Sequence, residues 1–451
     1  MAIKPKTTTL NANSVDIVNA IQNEASPAFR AAVPAVNESN TLRSVGEIIT
    51  SSPIYMNEFL DALVNRIGRV IINSKMFSNP WAIFKGGYLE YGETIEEIFV
   101  NLAKPFNYDI DTAETTVFKK EIPDVQAAFH RLNYRKFYKV TVTKAELRQA
   151  FLNADGVTSL ISTIADQLYN AARYDEFLVM KYMILKGIVD GKFFTIKIDG
   201  TNTSKAVTTI RKASNDLTFP AKKFNHAGVL TKTDRENQYL FVSNDFDSKM
   251  DVEVLASAFN MNKAEFLGHK ILIDSFVDID EDRLELIFKD DPGYVALTST
   301  DFTNLANINA VLVDANWFKV YDNTDEFDNI YNPQGMYWNY FYHQWKLFST
   351  SPFNTAIAFS TASKLEGAGL TVTPTTATAK PGGTVQLSYD HTASVAMSNA
   401  VNWSVSPAGS ARVLYGGKVH LSKSLKATDT VTVTATNVQD GTTGNCVITI
   451  S

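Results

Sequence analysis

The sequence predicts an α+β protein: a mixed helix-and-strand body followed by a separate all-β sandwich. Three observations carry this. A helical repeat fills residues 158–187, where Ile161, Ile164, Leu168, Phe177, Met180, Ile184 and Leu185 recur at spacings of three and four. An aromatic stretch centred on residues 331–348 puts apolar side chains on both faces of an extended segment, with Tyr337, Phe341, Trp345 and Leu347 on one and Trp338, Tyr340 and Tyr342 on the other. From about Gly367 to Ser451 there is no Glu, Thr, Ser and Val dominate, and short alternating runs are separated by turns. At 451 residues the chain exceeds one ordinary core, so two or three domains are expected.

Composition narrows the function. With 45% hydrophobic and 20% charged residues the chain is globular, and wholesale disorder is excluded. A net charge of -6 argues against a dedicated nucleic-acid binder but not against a protein that encloses DNA. Lys4 and Lys6 precede no apolar core of a leader, and no apolar run is long enough for a bilayer, so neither secretion nor membrane insertion is expected. Cys446 is the only cysteine, which excludes an intrachain disulfide and a cysteine-based metal site and fits folding in a reducing cytoplasm.

Taken in order, residues 1–52 are rich in Asn, Ser, Thr and Ala and read as a loose terminus, or as an arm ordered only by lying on a partner. Residues 59–72 carry a helical pattern that stops at Asn73 and Ser74. Gly86-Gly87 is a turn, since no Lys-Ser/Thr follows at phosphate-loop spacing. Residues 104–135 sustain no period, yet Phe106, Tyr108, Phe118, Phe129 and Tyr134 need cover, so this extension is expected to lie against another subunit. A strand at 138–143 runs into Thr143-Lys144-Ala145-Glu146, a capping box that opens a helix closed by Asn153-Ala154-Asp155-Gly156. The long helix then ends at Gly187 and Gly191. Residues 192–310 mix short strands and helices and read as an inserted α/β lobe. The aromatic region opens at Ala310-Val311-Leu312-Val313 and turns at Asn332-Pro333-Gln334-Gly335. It reads as a strand covered on two sides, by its own domain or by neighbouring subunits.

In the last segment, alternating runs at 370–373, 385–389, 401–405, 419–421, 431–435 and 447–450, with Trp403 in the third, argue an immunoglobulin-like sandwich with Trp403 in its core. Residues 363–369 are small enough to be a linker.

Signatures of chemistry are missing. The six histidines, at 130, 226, 269, 343, 391 and 420, make no ligand spacing, and His343 reads as a core or interface residue. The acidic run Asp278, Asp280, Glu281, Asp282 and Glu285 lacks the glycine and terminal Glu of a calcium loop and reads as solvated. There is no nucleophile elbow and no dinucleotide fingerprint, and Cys446 reads as a small buried hydrophobe. No catalytic, cofactor-binding or metal residue is therefore assigned, and no enzyme is expected.

Four stretches carry a resemblance. They are Gly86-Gly87 through Thr94-Ile95-Glu96-Glu97-Ile98, residues 252–262 with Glu265-Phe266-Leu267-Gly268, Val320-Tyr321-Asp322-Asn323, and Asn332-Pro333 with Gly335 and the string Tyr337-Trp338-Asn339-Tyr340-Phe341-Tyr342-His343 and Trp345. Together they resemble the major capsid proteins of phi-29-like tailed bacteriophages, and Pro374, Gly383 and Trp403 resemble a bacterial Ig-like group 2 module. The resemblance implies the Hong Kong 97 type of capsid fold. It divides the chain into an N-terminal arm (1–52), a capsid domain (53–362) and an Ig-like domain (368–451). Within the capsid domain it implies an extended loop at about 85–140, a spine helix at about 158–189, an axial domain at about 205–308 and central strands at 309–360.

The implied function is structural: self-assembly through pentamers and hexamers into an icosahedral or prolate head enclosing double-stranded DNA. The implied partners are other copies of the chain, a scaffolding protein, a portal or connector, the packaged DNA, and head fibres or a host surface met by the Ig-like domain. Neither a cofactor nor a membrane is implied. A cell-surface or tail-fibre binding protein carrying an Ig-like module is the alternative.

Overall fold

The computed structural model describes residues 14–59, 62, 78–89, 92, 94–103, 105–106, 117, 125–151, 156–250, 269–289, 291–362, 365, 367–393 and 395–451. In chain order, helices α1 (Ser14–Glu24), α2 (Pro27–Ala32) and α3 (Leu42–Ser51) precede strands β1 (Lys85–Tyr88), β2 (Thr94–Val100), β3 (Val125–Arg131) and β4 (Tyr134–Thr143). Then come α4 (Lys144–Ala150), α5 (Gly156–Val189), β5 (Phe194–Lys197), α6 (Thr203–Leu217), β6 (Gln238–Ser243), β7 (Lys270–Ile273), α7 (Glu281–Phe288) and α8 (Ser299–Leu305). Strands β8 (Ile308–Asp314), β9 (Phe318–Asn332), β10 (Tyr337–Thr350) and β11 (Ala356–Ser360) complete the body. The predicted helix at 59–72 and the motif at 252–268 lie almost wholly outside the described residues.

Two sheets organise the body. One has the order β1-β9-β10-β4, with β10 antiparallel to both β9 and β4. The other has the order β5-β11-β8-β6-β7. The residues read as one block at 309–360 thus divide between the sheets. The twice-covered strand is β8: Val311 and Val313 face one apolar cluster and Ala310 and Leu312 another, and all four are fully buried. In β10, Trp338, Tyr340 and Tyr342 face one core and Phe348 the other. Its other face buries Leu347 but leaves Trp345 36% exposed, so within the subunit the second cover is incomplete. An aromatic side chain fits a wet sheet face as well as a dry one when its neighbours are charged.

Residues 14–51 correct the expectation of a loose arm. Thr41 caps α3 and Ser26 caps α2 through their side-chain oxygens. Ile17, Val18, Ile21, Phe29, Val45 and Ile49 are buried against Trp338, Tyr340 and Tyr342 of the chain's own sheet. These apolar residues are spaced too sparsely among Asn and Ser for the local pattern alone to announce a core. Tyr134, expected to seek cover on a partner, is also internal, edge-on to Phe348.

Helix α5 joins the two sheets. Met180, Ile184, Leu185 and Ile188 pack with Trp81, Phe241, Val311 and Trp317. Gly191, at φ +68°, ends the helix in the left-handed conformation, and the Lys192 N–H bonds the Gly187 carbonyl at 2.9 Å. The capping box at Thr143 and Glu146 opens α4.

Charges fasten α5 to the four-stranded sheet. Glu176 accepts from Lys346 Nζ, from Lys85 Nζ at 3.1 Å and from Asn79 Nδ2 at 2.7 Å. Asp322 pairs with Lys85 at 2.5 Å and Lys346 at 3.2 Å. Asp175 takes both Arg283 bonds, at 2.8 and 3.0 Å, and the Tyr138 hydroxyl at 2.8 Å. Burial pushes the Glu176 carboxyl up, but Lys346 and Lys85 outweigh it and hold the group below its ordinary value.

The last segment carries its own core. Sheets β13-β20-β19-β16 and β14-β18-β17 and the pair β12-β15 enclose Leu387, Val419, Val433, Ile448 and the buried Cys446. Their strands are β12 (Gly367–Thr373), β13 (Thr376–Ala379), β14 (Thr384–Gln386), β15 (Ser388–Ala393), β16 (Val401–Ser406), β17 (Ala411–Val413), β18 (Lys418–Leu421), β19 (Thr430–Asn437) and β20 (Thr443–Ile450). Trp403 packs at the margin of this core, edge-on to Tyr389. Strands β13 and β17 were not legible in the sequence pattern.

The ion cluster makes a stability prediction. Lys346→Met removes one cation from buried Glu176 and should destabilise the subunit by about 3 kcal/mol in urea unfolding. Arg43→Ala, which breaks an exposed pair with Glu47, should cost less than about 0.5 kcal/mol. Because the Glu176 pKa is depressed on folding, its contribution is complete above the ordinary carboxylate value and fades as pH falls through the folded one. The cost of Lys346→Met should therefore shrink at acid pH.

Candidate assembly interface

Strands β2 and β3 form an antiparallel hairpin that no long-range period announced, pairing Glu96 with Phe129, Ile98 with Ala127 and Val100 with Val125. Its two faces differ in kind. The outer face shows Ile98 at 59%, Val100 at 58% and Phe129 at 63% exposure, and Leu102 and Phe106 continue the apolar surface beyond it. Tyr108 and Phe118, read from sequence as needing cover, lie outside the described residues.

The inner face is latched to the body through Glu97. This carboxylate accepts from Ser351 Oγ at 2.9 Å, pairs with Lys319 at 3.2 Å and lies 3.2 Å from His130 Nε2. The other ring nitrogen of His130 lies 2.7 Å from Ser349 Oγ, and Phe99 stacks on Phe353. Burial pushes the Glu97 carboxyl up, but the bonds from His130 and Ser351 and the Lys319 charge hold it below its ordinary value. An apolar face is thus presented outward on a base held by charge-assisted bonds.

A second exposed surface is the open face of the four-stranded sheet. Rows across it read Lys139–Phe341–Asp328, Phe137–His343–Glu326 and Arg135–Trp345–Thr324. Phe137 is 58% exposed, Arg135 sits over the Trp345 ring at 5.3 Å and Lys139 over Phe341 at 5.7 Å. His343 belongs to this surface, half-buried beside Phe137 and Phe341.

The chemistry weighed from sequence resolves into structural parts. Asp280 caps α7 and accepts from the Tyr174 hydroxyl at 3.1 Å, and Lys181, buried on α5, donates to the Asp278 carbonyl, so the acidic run is the anchored start of a helix. His391 bonds Asp440 at 2.9 Å inside the sandwich. Glu97 and His130 had escaped sequence reading. The burial of these strands alternates in the folded protein, but Thr94-Ile95-Glu96-Glu97-Ile98-Phe99-Val100 carries no alternation of apolar and polar residues that could have announced it.

Residues 18–360 match the family model described as Phi29-like phage major capsid protein. The major capsid protein of Bacillus phage B103 is 35% identical over 431 residues, covering 94% of this chain and 90% of the relative. That of Bacillus phage PZA is 34% identical over 430 residues, with the same coverage. Among solved structures, the capsid structure of Staphylococcus phage Andhra aligns with a TM-score of 0.49 at 15% identity, covering 65% of this chain and 87% of that one.

Glu97→Gln keeps the shape of the latch and removes its charge. Hydrogen exchange over 94–100 and 125–131 should rise by a factor corresponding to a loss of about 1–2 kcal/mol, while exchange in α5 stays unchanged. Equal loosening of α5 would show that Glu97 supports the whole body and is no local latch.

Proposed function

Because the chain belongs to the Phi29-like phage major capsid proteins and is a structural component of the virion shell, we propose that it assembles through pentamers and hexamers into an icosahedral or prolate head around double-stranded DNA. The observation that carries the proposal is the hairpin: a firmly latched base with an exposed apolar face that the described residues leave uncovered. Such a face fits a heterologous contact, in which one surface meets a different surface on the next copy and rotation closes a ring. The aromatic face of the four-stranded sheet, with charges of both signs around its rings, is the receiving surface in this reading. Individual contacts need only be weak, since many act together in a closed shell.

The division into a Hong Kong 97 type capsid domain and a C-terminal Ig-like domain belongs to the same proposal. It is supported by the 34-residue helix α5, by the hairpin and by the separate core after Gly367. Residues 14–51 join the capsid body in this reading, and β8 and β11 join the axial sheet. A scaffolding protein and a portal take part during assembly, DNA is enclosed without sequence recognition, and the Ig-like domain meets head fibres or a host surface. The role is structural and no catalysis is assigned. Relatives named as major capsid proteins, matched over nearly the whole chain, support this reading over a cell-surface or tail-fibre binder.

Negative-stain electron microscopy of the protein, expressed alone and with its phage's scaffolding protein, should show shells, capsomers or tubes. Monodisperse monomers under both conditions would count against assembly through these surfaces. Phe129→Asp should abolish assembled particles while changing subunit stability by less than about 0.5 kcal/mol, because the side chain is exposed.

A further inference from the structure

Among the described residues, the polar side chains of Gln439, Asn399, His226 and Tyr415 join the C-terminal sandwich to the body. The Gln439 amide occupies the free edge of β5, the outermost strand of the five-stranded sheet: Thr195 N–H donates to Oε1 at 3.1 Å, and Nε2 donates to the Thr195 carbonyl at 2.9 Å. One side chain thereby satisfies both backbone groups that an added strand would pair with. Asn399 closes the end of α5. Its backbone N–H donates to the Gly191 carbonyl at 2.9 Å and its Nδ2 to the Asp190 carbonyl at 2.6 Å. A side chain at Gly191 would collide with Asn399, since an added Cβ would lie 2.8 Å from the Asn399 nitrogen. His226 bridges the two parts, with Nε2 2.8 Å from Asn399 Oδ1 and Nδ1 2.8 Å from the Tyr415 hydroxyl.

The joint is thinly packed. His226 and Tyr415 form the wall between two cavities, of about 470 and 200 Å³. Hydrogen bonds hold it, beside the apolar contacts of Ala396 with the body's core and of the Phe353 and Tyr415 rings, 6.4 Å apart.

We infer that the sandwich is a docked part of the subunit, held by Gln439, Asn399 and His226, and that protonation of His226 releases it. The network dictates the neutral ring. Because Asn399 Nδ2 is committed to the Asp190 carbonyl, Oδ1 must face His226, so Nε2 carries the hydrogen. Nδ1 then accepts from the Tyr415 hydroxyl, a phenol that stays protonated throughout this pH range. A second ring proton turns Nδ1 into a donor, so that the Tyr415 hydroxyl must turn round to accept, and places a positive charge near Lys192 in a half-buried site.

The charged and titratable neighbours mostly oppose that charge. Lys192 disfavours it and Asp190 partly offsets Lys192, while Lys222 lines the larger cavity and His130 the smaller. Burial is the leading cause that lowers the His226 pKa. For a group whose pKa is depressed on folding, the docking contribution is complete above the ordinary imidazole value, near 6.5, and is lost as pH falls below it.

Hydrogen exchange of the full-length subunit, corrected for the intrinsic pH dependence of exchange, tests both halves. Between pH 7.5 and 5.0, protection of the Thr195 and Asn399 segments should fall roughly tenfold while β19 stays protected. In His226→Gln, protection of both segments should not depend on pH. Gln439→Ala should lower protection at Thr195 at both pH values with the sandwich core intact. Unchanged protection in the wild type, or a pH-dependent loss that survives in His226→Gln, overturns the protonation release. Normal Thr195 protection in Gln439→Ala overturns the docking contact.

Discussion

Two adjacent carboxylates in the middle of α5, Asp175 and Glu176, are the constraint on which the rest of the body depends. At 1.5 Å per residue a 34-residue helix is about 50 Å long, and a helix of that length must be fixed in register as well as covered. Apolar packing alone allows sliding. Asp175 grips Arg283 and Tyr138, and Glu176 grips Lys85 and Lys346, so α7, β1, β4 and β10 are each referenced to one turn of the helix. Burying these charges is costly, and the pairing offsets that cost only when every partner is present. What the cluster contributes is a single relative position.

That position sets what the subunit can present. With β9 and β10 held against α5, Lys319, Ser349 and Ser351 stand where Glu97 and His130 can reach them. The hairpin therefore leaves the body at one angle with its apolar face outward. At the far end, the terminus of α5 and the edge of β5 offer the backbone groups that Asn399 and Gln439 take up. Both attachments use polar contacts at the margins of sheets, where unpaired N–H and C=O groups otherwise invite a foreign strand.

Much of the architecture was legible. The helix at 158–187, the capping box at Thr143 and Glu146, the turn at 332–335 and most of the sandwich strands follow from local spacing and turn chemistry. The latch was not, because Glu97 meets Ser351 and Lys319 across more than 200 residues of sequence, and no periodicity encodes such a meeting. Residues 14–51 misled for a related reason. A polar-rich segment with a few apolar residues is loose alone and ordered on a sheet that supplies the missing apolar face.

By itself the sequence determined the mixed class of the body, the all-β character of the segment after Gly367, and, through the aromatic string of β10, the family. These rest on short-range periodicity and composition, which each stretch carries within itself. Only the tertiary structure decided that β8 is the strand covered on both faces, that one face of β10 stays partly open, and that the hairpin turns Ile98 and Phe129 outward. Burial belongs to the neighbours a residue meets, and for these strands the neighbours come from distant parts of the chain.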